Sequence, residues 1–461
     1  MISVQLRYSF RLDPSPGQCV ALARAFGCAR VVYNDALRAR NDAYAAGLGW
    51  ITGGELSRKL ITEARKTPER AFLGEVSSVV LQQALRDNDA AFRNFFDSVT
   101  RRRKGPKISA PRFRTRRDNR QSIRFAANAR FRVTAGGRLL LPKIGEIPVR
   151  WSRALPSDPS SVTVIRDAAD RYYASFVVIT DAGEDLDRFP DAESDVGIDL
   201  GLASFAVMSD GTVIDNPRIL RRAEKNLRKA QRALARKQKG SNNRRKAVVR
   251  VAKAHVKVRD ARRDFHHKLS TAIVAENQGV YVEDLAVAAL GRTRLAKSVH
   301  DAGWATFTGM LEYKCARYGR AFARVDRWAP TSQVCSVCGA SDGAKPLSVR
   351  EWRCAGCGTV HDRDLNAARN ILTYGRQVAA GRAETQNACG AQVRPGAIPA
   401  QRSEAGTRRS DPASARPAPR SAVGIPSPQA GEDVKGSGSA RDRRSGPGAV
   451  RLRAHPAARR A

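Results

Sequence analysis

The sequence predicts an α/β protein with more than one domain, and three observations support that prediction. The chain has 461 residues and is 42% hydrophobic, which is too long for one compact core and apolar enough for several. Residues 195–325 alternate short apolar segments with long helical patterns, as in a sheet covered by helices. Residues 1–12 and 121–181 alternate like strands, whereas residues 13–120 show helical periodicity, so a β region and a helical region accompany the α/β domain.

The β region is predicted from alternation and turn signals. Residues 1–12 end at Asp13-Pro14-Ser15-Pro16, which can stop a strand and cap a helix. Within 121–181, Gly136-Gly137 and Ala168-Ala169-Asp170 each separate two alternating runs and indicate hairpins. We expect these hairpins and the first strand to close a small barrel.

The charge balance indicates a polyanionic partner. Lys and Arg total 82 against 44 Asp and Glu, which gives a formal net charge of +38. Self-repulsion at that charge is costly unless a polyanion such as a nucleic-acid backbone neutralises it, although an arginine-rich composition alone is the alternative. The N-terminus lacks a signal-peptide pattern, and no run of about 18 apolar residues occurs. We therefore expect a cytoplasmic protein with no membrane partner.

The helical region 13–120 ends in an arginine-rich segment, RRRKGPKISAPRFRTRRDNRQSIR (101–124). Pro106 and Pro111 prevent a continuous helix there. We interpret the segment as an extended basic arm that follows a phosphate backbone, with Phe113 available to stack on a base. A solvated charged loop is the alternative. The candidate nucleic-acid-binding side chains are Arg101, Arg102, Arg103, Lys104, Lys107, Arg112, Arg114, Arg116 and Arg117.

The α/β domain is predicted from residues 195–325 together with 361–375. A very basic helical hairpin is expected over 218–270, with its turn at Gly240-Ser241-Asn242-Asn243. The other expected elements are strands at 196–202, 280–285 and 321–325 and helices at 301–318 and from 362 onwards.

Two segments lack hydrophobic periodicity. Residues 182–194 are acidic and polar and suit a linker. Residues 376–461 are rich in Gly, Pro, Ser, Ala and Arg. This composition buries too little apolar surface to fold, so we predict a disordered basic C-terminal tail.

Three carboxylates are candidates for a catalytic site. Asp199 lies in the apolar strand VGIDLG (196–201), where a charge is costly unless it is paired or binds a metal. Glu283 ends a second apolar strand, VYVEDL (280–285), and parallel pairing of the two strands would bring it beside Asp199. Asp364 stands at a helix start that can reach the same edge. Taken singly, each acid is more typical of a helix cap or an ion pair.

A site of three carboxylates suits a hard divalent cation such as Mg²⁺. Two such ions could clamp a scissile phosphate, one activating the attacking water and the other stabilising the leaving oxygen. Gly197 and Gly201 flank Asp199 and are expected to leave room for the backbone of a ligand. The sequence therefore predicts Mg²⁺ as a catalytic cofactor bound by Asp199, Glu283 and Asp364.

Four cysteines form a strong metal-binding pattern. They stand in two C-x2-C pairs separated by fifteen residues, and Gly339 and Gly358 follow the pairs as tight knuckle turns require. Four thiolates leave no open coordination position, so we predict a structural Zn²⁺ ion in an insert at 326–360. The predicted ligands are Cys335, Cys338, Cys354 and Cys357.

Seven short motifs stand along residues 1–375: YSFRLDPSPGQ (8–18), GIDLGL (197–202), DFHHKLST (264–271), VEDL (282–285), WAPTSQVCSVCG (328–339), WRCAGCG (352–358) and HDRDLNAARNI (361–371). In sequence and order they resemble the motifs of TnpB proteins. These are RNA-guided nucleases encoded by transposons, also described as OrfB or transposases, and they are related to type V CRISPR effectors. VEDL and the HDRDLNAARNI segment are the most specific of the seven.

The resemblance implies a ribonuclease-H-like (RuvC) nuclease domain. Its three acids would correspond to Asp199, Glu283 and Asp364, with Asp362 a weaker choice for the third. The zinc-ribbon insert would bind target nucleic acid.

The same resemblance implies the roles of the N-terminal regions and the partners. Residues 1–12 and 121–181 would form a wedge-like barrel, and residues 13–120 a recognition lobe. A guide RNA derived from the transposon end would read the sequence of target DNA by base pairing, while the protein reads a short adjacent DNA motif. We then expect activity at the bacterial nucleoid.

Three functions remain open from the sequence. The first is a transposon-associated, RNA-guided DNA endonuclease that hydrolyses phosphodiester bonds by a two-metal-ion mechanism. The second is a DNA transposase, or an accessory protein in transposition and recombination, because strand transfer uses the same metal chemistry. The third is a non-catalytic nucleic-acid-binding regulator, which the complete set of acids disfavours. The residues leave the guide, the adjacent motif and the oligomeric state open.

Overall fold

The computed structural model describes most of the chain before residue 389. The described residues are 3–118, 120–181, 189–341, 343–346, 348–388 and 452–454. Residues 182–188, half of the expected linker, lie outside them. Within the described residues the strands form two large sheets and a two-stranded one.

The N-terminal helices begin at a cap that the sequence indicates. Ser15 accepts a hydrogen bond from the backbone N–H of Gln18, whose side chain in turn accepts one from the Ser15 N–H, and Pro16 fills the first helical position. The helical elements of this region are α1 (Pro16–Ala45), α2 (Gly53–Ser57), a π-helical turn (Arg58–Glu63), 3-10 turns (Ala64–Lys66 and Pro68–Glu75) and α3 (Ser78–Val99).

The N-terminal sheet is antiparallel throughout. Its strands are β1 (Ser3–Leu12), β2 (Gln121–Ala126), β3 (Arg132–Val133), β4 (Arg138–Leu141), β5 (Gly145–Arg150), β6 (Ser161–Arg166) and β7 (Tyr172–Asp181). They follow the order β2-β6-β7-β1-β5-β4-β3. Both predicted hairpins are present, as β3–β4 and β6–β7.

This sheet is a half-barrel, so the expectation of a closed barrel is wrong. Its end strands are β2 and β3, and no ladder joins them among the described residues. A 3-10 turn (Ala127–Ala129) and Arg130, at φ 55°, redirect the chain between them. β3 is only two residues long and offers little edge for closure.

The N-terminal helices and sheet share one hydrophobic core. Phe10, Phe125 and Phe176 from the sheet and Leu22 and Leu81 from the helices belong to a single buried cluster. The β region and the helical region are therefore two layers packed on each other, as sheets and helices need in order to cover their apolar faces.

The second large sheet combines parallel and antiparallel pairs. Its strands are β8 (Asp195–Leu200), β9 (Ser204–Met208), β10 (Thr212–Asp215), β11 (Gly279–Glu283), β12 (Ala321–Val325) and β15 (Leu452–Ala454), in the order β12-β11-β8-β9-β10-β15. β11 runs parallel to both β8 and β12, and its pairing with β8 is the predicted one. A separate antiparallel pair joins β13 (Glu351–Arg353) to β14 (Val360–Asp362).

Helices cover both faces of this sheet. They are α4 (Ile219–Ala235), α5 (Asn242–Glu276), α6 (Val287–Leu290), α7 (Ala296–Ala302), α8 (Trp304–Arg317) and α9 (Arg363–Ala388). α4 and α5 form the predicted basic hairpin, and α5 and α8 pack on one face of the sheet while α9 packs on the other. None of the described helices is long and apolar enough to cross a membrane.

α9 lies directly on the sheet because two glycines remove the side chains between them. A Cβ at Gly197 would overlap the Ala368 carbonyl oxygen and the Leu372 backbone, and one at Gly375 would overlap the Tyr281 ring. Gly197 therefore admits the protein's own helix, and the expectation that it makes room for a ligand is wrong. Gly201 likewise faces the Ser204 carbonyl oxygen at the β8–β9 turn.

The C-terminal segment is more ordered than expected. α9 continues to Ala388, so residues 376–388 do not belong to a disordered tail. The Arg376 guanidinium donates to Asp195 on β8 at 2.7 Å, which ties this part of the helix to the sheet. Residues 452–454 pair antiparallel with β10 as strand β15. Residues 389–451 and 455–461, the rest of the predicted tail, lie outside the described residues.

We predict that Gly197→Ala destabilises the protein. The added methyl group has no free space, so it must displace α9, and overpacking of this kind costs about 1–3 kcal/mol or more. Chemical denaturation should show the lower free energy of unfolding. Gly309→Ala on α8 is the matched control, because a Cβ there meets no atom within 4 Å. Equal stability of the Gly197→Ala protein and the parent would show that α9 does not pack as described.

Candidate active site and zinc module

Asp199 and Glu283 lie side by side on the sheet. β8 and β11 are parallel, and Val282 pairs with Ile198, so the next position on each strand holds an acid. Side chains alternate along a strand. Ile198 and Val282 face the core beneath α5 and α8, which turns the two acids towards the face that α9 covers. The predicted adjacency of Asp199 and Glu283 is therefore observed.

The third acid comes from the first turn of α9. Asp364 lies there, and its charge acts on Asp199. Asp362 has a different role, since its Oδ1 accepts a hydrogen bond of 2.8 Å from the Leu365 N–H and so caps the helix. Asp362 thus caps the helix, and Asp364 stays the predicted third acid.

The acids destabilise one another's charges. Burial, followed by the charges of Asp364 and Glu283, raises the pKa of Asp199 to about 7, while Arg363 acts in the opposite direction. Burial and the neighbouring Asp284 raise the pKa of Glu283. Two neighbouring, partly buried carboxylates with raised pKa values are typical of a functional site and fit a site for hard cations.

Two arginines near Asp364 were not singled out from the sequence. The Arg350 Nη1 lies 3.3 Å from both carboxylate oxygens of Asp364. Arg363 donates to the Pro346 carbonyl oxygen at 2.7 Å, and its own N–H donates to the Arg350 carbonyl oxygen at 2.7 Å. Arg350 is separated from Asp364 by fourteen positions, so sequence spacing gave no signal for the pair.

The four predicted zinc ligands come together. Among the described residues they are the one group of at least three potential metal ligands whose ligand atoms all lie within 4.8 Å of one another. The Sγ–Sγ distances are 3.7 Å for Cys335–Cys357 and 3.6 Å for Cys338–Cys354. A tetrahedral zinc site with Zn–S bonds of about 2.3 Å requires sulfur separations of roughly 3.8 Å. Gly339 and Gly358 both adopt φ +73°, as the knuckle turns require.

The insert that carries the four cysteines (residues 326–360, the zinc module) is hydrogen-bonded to the helix that carries Asp364. Asn366 accepts a hydrogen bond from the Ser336 N–H at 2.8 Å and donates to the Val334 carbonyl oxygen at 2.8 Å. One turn later, Asn370 donates to the Thr331 and Val334 carbonyl oxygens, both at 2.7 Å. The two asparagines are spaced by four residues, which could have revealed them as one helical face.

His361 also links the two parts. Its Nε2 lies 3.0 Å from Cys335 Sγ, and its ring lies against Trp352 with centroids 4.8 Å apart. A protonated Nε2 can donate a hydrogen bond to a metal-bound thiolate, which orients the ligand. Since His361 precedes α9 by two residues, the zinc ligands and the start of the helix share one hydrogen-bonded unit.

The basic arm is exposed, with one exception. Residues 101–118 form neither helix nor strand, and most of their charged side chains face solvent. Arg114 is instead anchored: it stacks over Tyr33 at 3.8 Å and donates to Asp87 at 3.1 Å, while Asn34 pairs with its backbone. The arm thus lies along the N-terminal helices, and Arg114 holds it there. Binding of nucleic acid by the other eight side chains stays a prediction.

Comparison with known proteins identifies the family. A family model described as OrfB_IS605, "Probable transposase", matches residues 178–294, and one described as "Cas12f1-like, TNB domain" matches residues 304–371. A Streptomyces pristinaespiralis protein named "Putative RNA-guided DNA endonuclease" is 43% identical over 431 residues, covering 92% of this chain and 99% of the relative. The chain belongs to the TnpB (OrfB) family. The TnpB resemblance drawn from the motifs is therefore confirmed.

A second relative agrees with the TnpB assignment. The Escherichia coli K12 protein named "Putative RNA-guided DNA endonuclease InsQ" is 31% identical over 405 residues, covering 84% of this chain and 95% of that protein. A chain from the "Cryo-EM structure of the Cas12f1-sgRNA-target DNA complex" is similar at a TM-score of 0.46 and 14% identity, over 76% of this chain and 82% of the other.

One family match differs from the observed structure. A model described as "Helix-turn-helix domain" matches residues 1–48. In this TnpB chain the described part of that segment is strand β1 followed by the single long helix α1. β1 pairs along all ten of its residues with β7, so it is part of the half-barrel.

We predict that Asp199→Asn stabilises the metal-free protein, and more so as pH rises. The folded-state pKa of Asp199 is raised from 3.8 to about 7, so folding takes up a proton between these values and stability falls as pH increases through this window. Asparagine cannot ionise and escapes that cost. Thermal unfolding in EDTA should give a difference in Tm that is small near pH 4, grows up to about pH 7 and reaches several degrees at pH 8. Asp215→Asn, an exposed acid on the same sheet, is the control. A pH-independent difference would contradict the raised pKa.

We predict that Cys354→Ser removes the zinc ion and loosens the start of α9. A structural zinc ion contributes folding energy directly, and Asn366 and Asn370 carry the loss to the helix. Metal analysis should show less zinc per chain, and hydrogen exchange should quicken over residues 360–372. Cys19→Ser, outside the cluster, is the control. Full zinc content with unchanged exchange would refute the coupling.

Proposed function

We propose that this TnpB chain is a transposon-associated, RNA-guided DNA endonuclease that hydrolyses phosphodiester bonds with divalent cations. The observation that carries the proposal is that Asp199 and Glu283 lie on neighbouring parallel strands, with Asp364 on the first turn of α9 near enough for its charge to act on Asp199. The names of the two relatives that match most of the chain support it. The chain covers nearly their whole length, so the same regions are available here.

The three carboxylates would hold the metal ions. Their donor set consists of oxygens only, which Mg²⁺ prefers. Burial is the main cause that raises the pKa values of Asp199 and Glu283, and a bound cation would offset it. A pair of bound Mg²⁺ ions would supply Lewis-acid polarisation of the phosphate and a nucleophilic water at neutral pH. Asp199 must lose its proton to bind a cation, so cation binding should strengthen as pH increases towards about 7.

Other residues of the chain would prepare the site. Arg350 and Arg363 supply positive charge beside Asp364, where a phosphate would lie. The zinc module, through Asn366 and Asn370, fixes the turn of α9 from which Asp364 projects. Phosphoryl transfer depends mainly on such positioning and charge neutralisation.

The partners are proposed to be a guide RNA from the transposon end and its DNA target. A net charge of +38 suits a complex with two nucleic acids. Base pairing to the guide would select the target, and the protein would read a short adjacent motif. The exposed side chains of the basic arm, from Arg101 to Arg117, would contact the phosphate backbones.

DNA transposition is the second candidate function. The matching family model carries the description "Probable transposase", and strand transfer can use the same acids and metals. The products separate the two functions: an integration assay yields joined strands for a transposase and simple breaks for an endonuclease.

We predict that guided cleavage requires each acid. The protein should be expressed with its flanking transposon-end DNA, the co-purifying RNA sequenced, and cleavage of a matching target measured in Mg²⁺. Asp199→Asn, Glu283→Gln and Asp364→Asn should each lower the rate by at least about 100-fold while retaining the RNA. Asp215→Asn should cleave at the parental rate, because that acid is exposed on β10, away from the cluster. Absence of co-purifying RNA, or equal cleavage by the Asp199→Asn protein, would overturn the proposal.

A further inference from the structure

Trp328 is exposed in the loop that follows β12, although its indole is large and mostly apolar. It is 85% exposed, whereas Trp304 and Trp352 are buried at 4% and 7%. An exposed single residue is common on protein surfaces. The position of this one, and the way its backbone is held, set it apart.

The loop that carries Trp328 starts at the edge of the sheet where the acids lie. Val325, the last residue of β12, pairs with Glu283 across the parallel β11–β12 ladder. Trp328 follows three residues later, so its Cα lies within roughly 10 Å of Val325. The next residue, Ala329, packs against the small core beneath α9, which includes Val325. Trp328 therefore lies in a loop that leaves the sheet next to the end of β11, where Glu283 stands.

The loop is fixed on both sides of the indole. The backbone N–H of Trp328 donates to Asp326 Oδ1 at 2.8 Å. Arg327 forms an ion pair with Asp284, the residue after Glu283. The Thr331 N–H donates to the Ala329 carbonyl oxygen at 2.8 Å. Because these contacts hold the backbone in place, the indole is presented to solvent by a rigid loop that is tied to the acid-bearing strand.

A cleft of about 390 Å³ adjoins this loop, and its charged lining residues are Glu283, Asp284, Arg324 and Arg327. Both arginines form ion pairs, Arg324 with Glu312 and Arg327 with Asp284. The rest of the lining is mostly apolar and includes Trp304 and Ala305 at the start of α8. Arginine side chains and an exposed aromatic ring are the two kinds of group by which proteins hold single-stranded nucleic acid.

We propose that Trp328 stacks on a base of the DNA strand being cut, within a few nucleotides of the scissile phosphate. This inference rests on the proposed function, since it takes the acids as the point of cleavage. The occupant is an unpaired strand, because the bases of an intact duplex already stack on one another and expose no face to the indole. Arg324 and Arg327 would hold the adjacent phosphates. Trp328 is thus a positioning residue, which sets where the strand lies over the acids.

Two variants of Trp328 and one matched control test the proposal. Trp328→Phe keeps an aromatic face, and Trp328→Leu keeps apolar bulk without one. Tyr44→Leu removes an aromatic side chain that is 87% exposed on α1, within the N-terminal helical layer. The first measurement is binding of a fluorescent twelve-nucleotide oligo-dT by the purified RNA-loaded protein in Ca²⁺. Trp328→Leu should weaken binding by roughly 5- to 100-fold, which is the range for loss of one stacked base. Trp328→Phe should restore most of the affinity, and Tyr44→Leu should leave it unchanged.

The second measurement locates the stacked base. Guided targets are prepared with a single abasic site at each position near the cut, and kcat and KM are measured for each. One abasic position should slow the parent protein as much as Trp328→Leu does, and should cost the Trp328→Leu protein nothing further, because one contact is removed either way. Additive losses at every position would overturn the proposal.

Each of the remaining outcomes either supports or overturns the stacking proposal. Parental oligo-dT affinity and parental kcat/KM in Trp328→Leu would overturn stacking. Loss of co-purifying RNA in that variant would assign the indole to the guide, and a changed oligomeric state would assign it to a second copy of the chain; either overturns the proposal. If the parent does not cleave guided DNA but Trp328→Leu alone loses oligo-dT binding that Trp328→Phe retains, single-strand stacking is supported while the nuclease proposal fails.

Discussion

The contact between α9 and the sheet at Gly197 is the constraint on which the candidate site depends. Without a side chain there, the backbone of α9 around Ala368 and Leu372 packs directly against β8. A second contact of the same kind, Gly375 on Tyr281, fixes the helix one strand away. Two fixed points determine the direction of a rigid helix, and so determine where its first turn delivers Asp364. Asp199 and Glu283 do not depend on these glycine contacts for their alignment, because the parallel β8–β11 ladder sets their relative positions.

This arrangement concentrates negative charge in a place where the fold offers little to offset it. Burial and mutual repulsion raise the pKa of Asp199 to about 7. The repulsion between Asp364 and Asp199 therefore offsets part of the stability that the packing of α9 on the sheet provides. Arg350, which belongs to the zinc module, partly neutralises the charge of Asp364. The same module is hydrogen-bonded through Asn366 and Asn370 to the helix that carries the acid. The insert therefore contributes both to the geometry and to the electrostatics of the cluster, although its cysteines leave no open coordination position.

Much of the site could be predicted from the sequence, because its elements are local. The cysteine pairs, the apolar strands around Asp199 and Glu283 and the helix start at Asp364 each have a short-range signal. What failed depended on contacts between distant segments. Gly197 was expected to leave room for a ligand, because the sequence does not show that the backbone of α9 lies against it. The end of α9 was placed too early because its anchor, Arg376 to Asp195, spans 181 positions. Barrel closure was expected from the two hairpins and the first strand, yet the αL conformation of Arg130 and the shortness of β3 leave the sheet open.

The division of cores along the chain has a consequence for synthesis on the ribosome. The N-terminal core uses residues from Tyr8 to Val178 and can be completed as soon as that part of the nascent chain has emerged. The second sheet includes strands at 195–200, 279–283 and 321–325. One of its two faces is covered by α9, which begins at Arg363. Since domains generally fold in the order in which they are made, a ribosome-bound chain would display a finished N-terminal half while its acids were still apart. The order of segments in the gene thus postpones assembly of the candidate site until synthesis has passed Asp364.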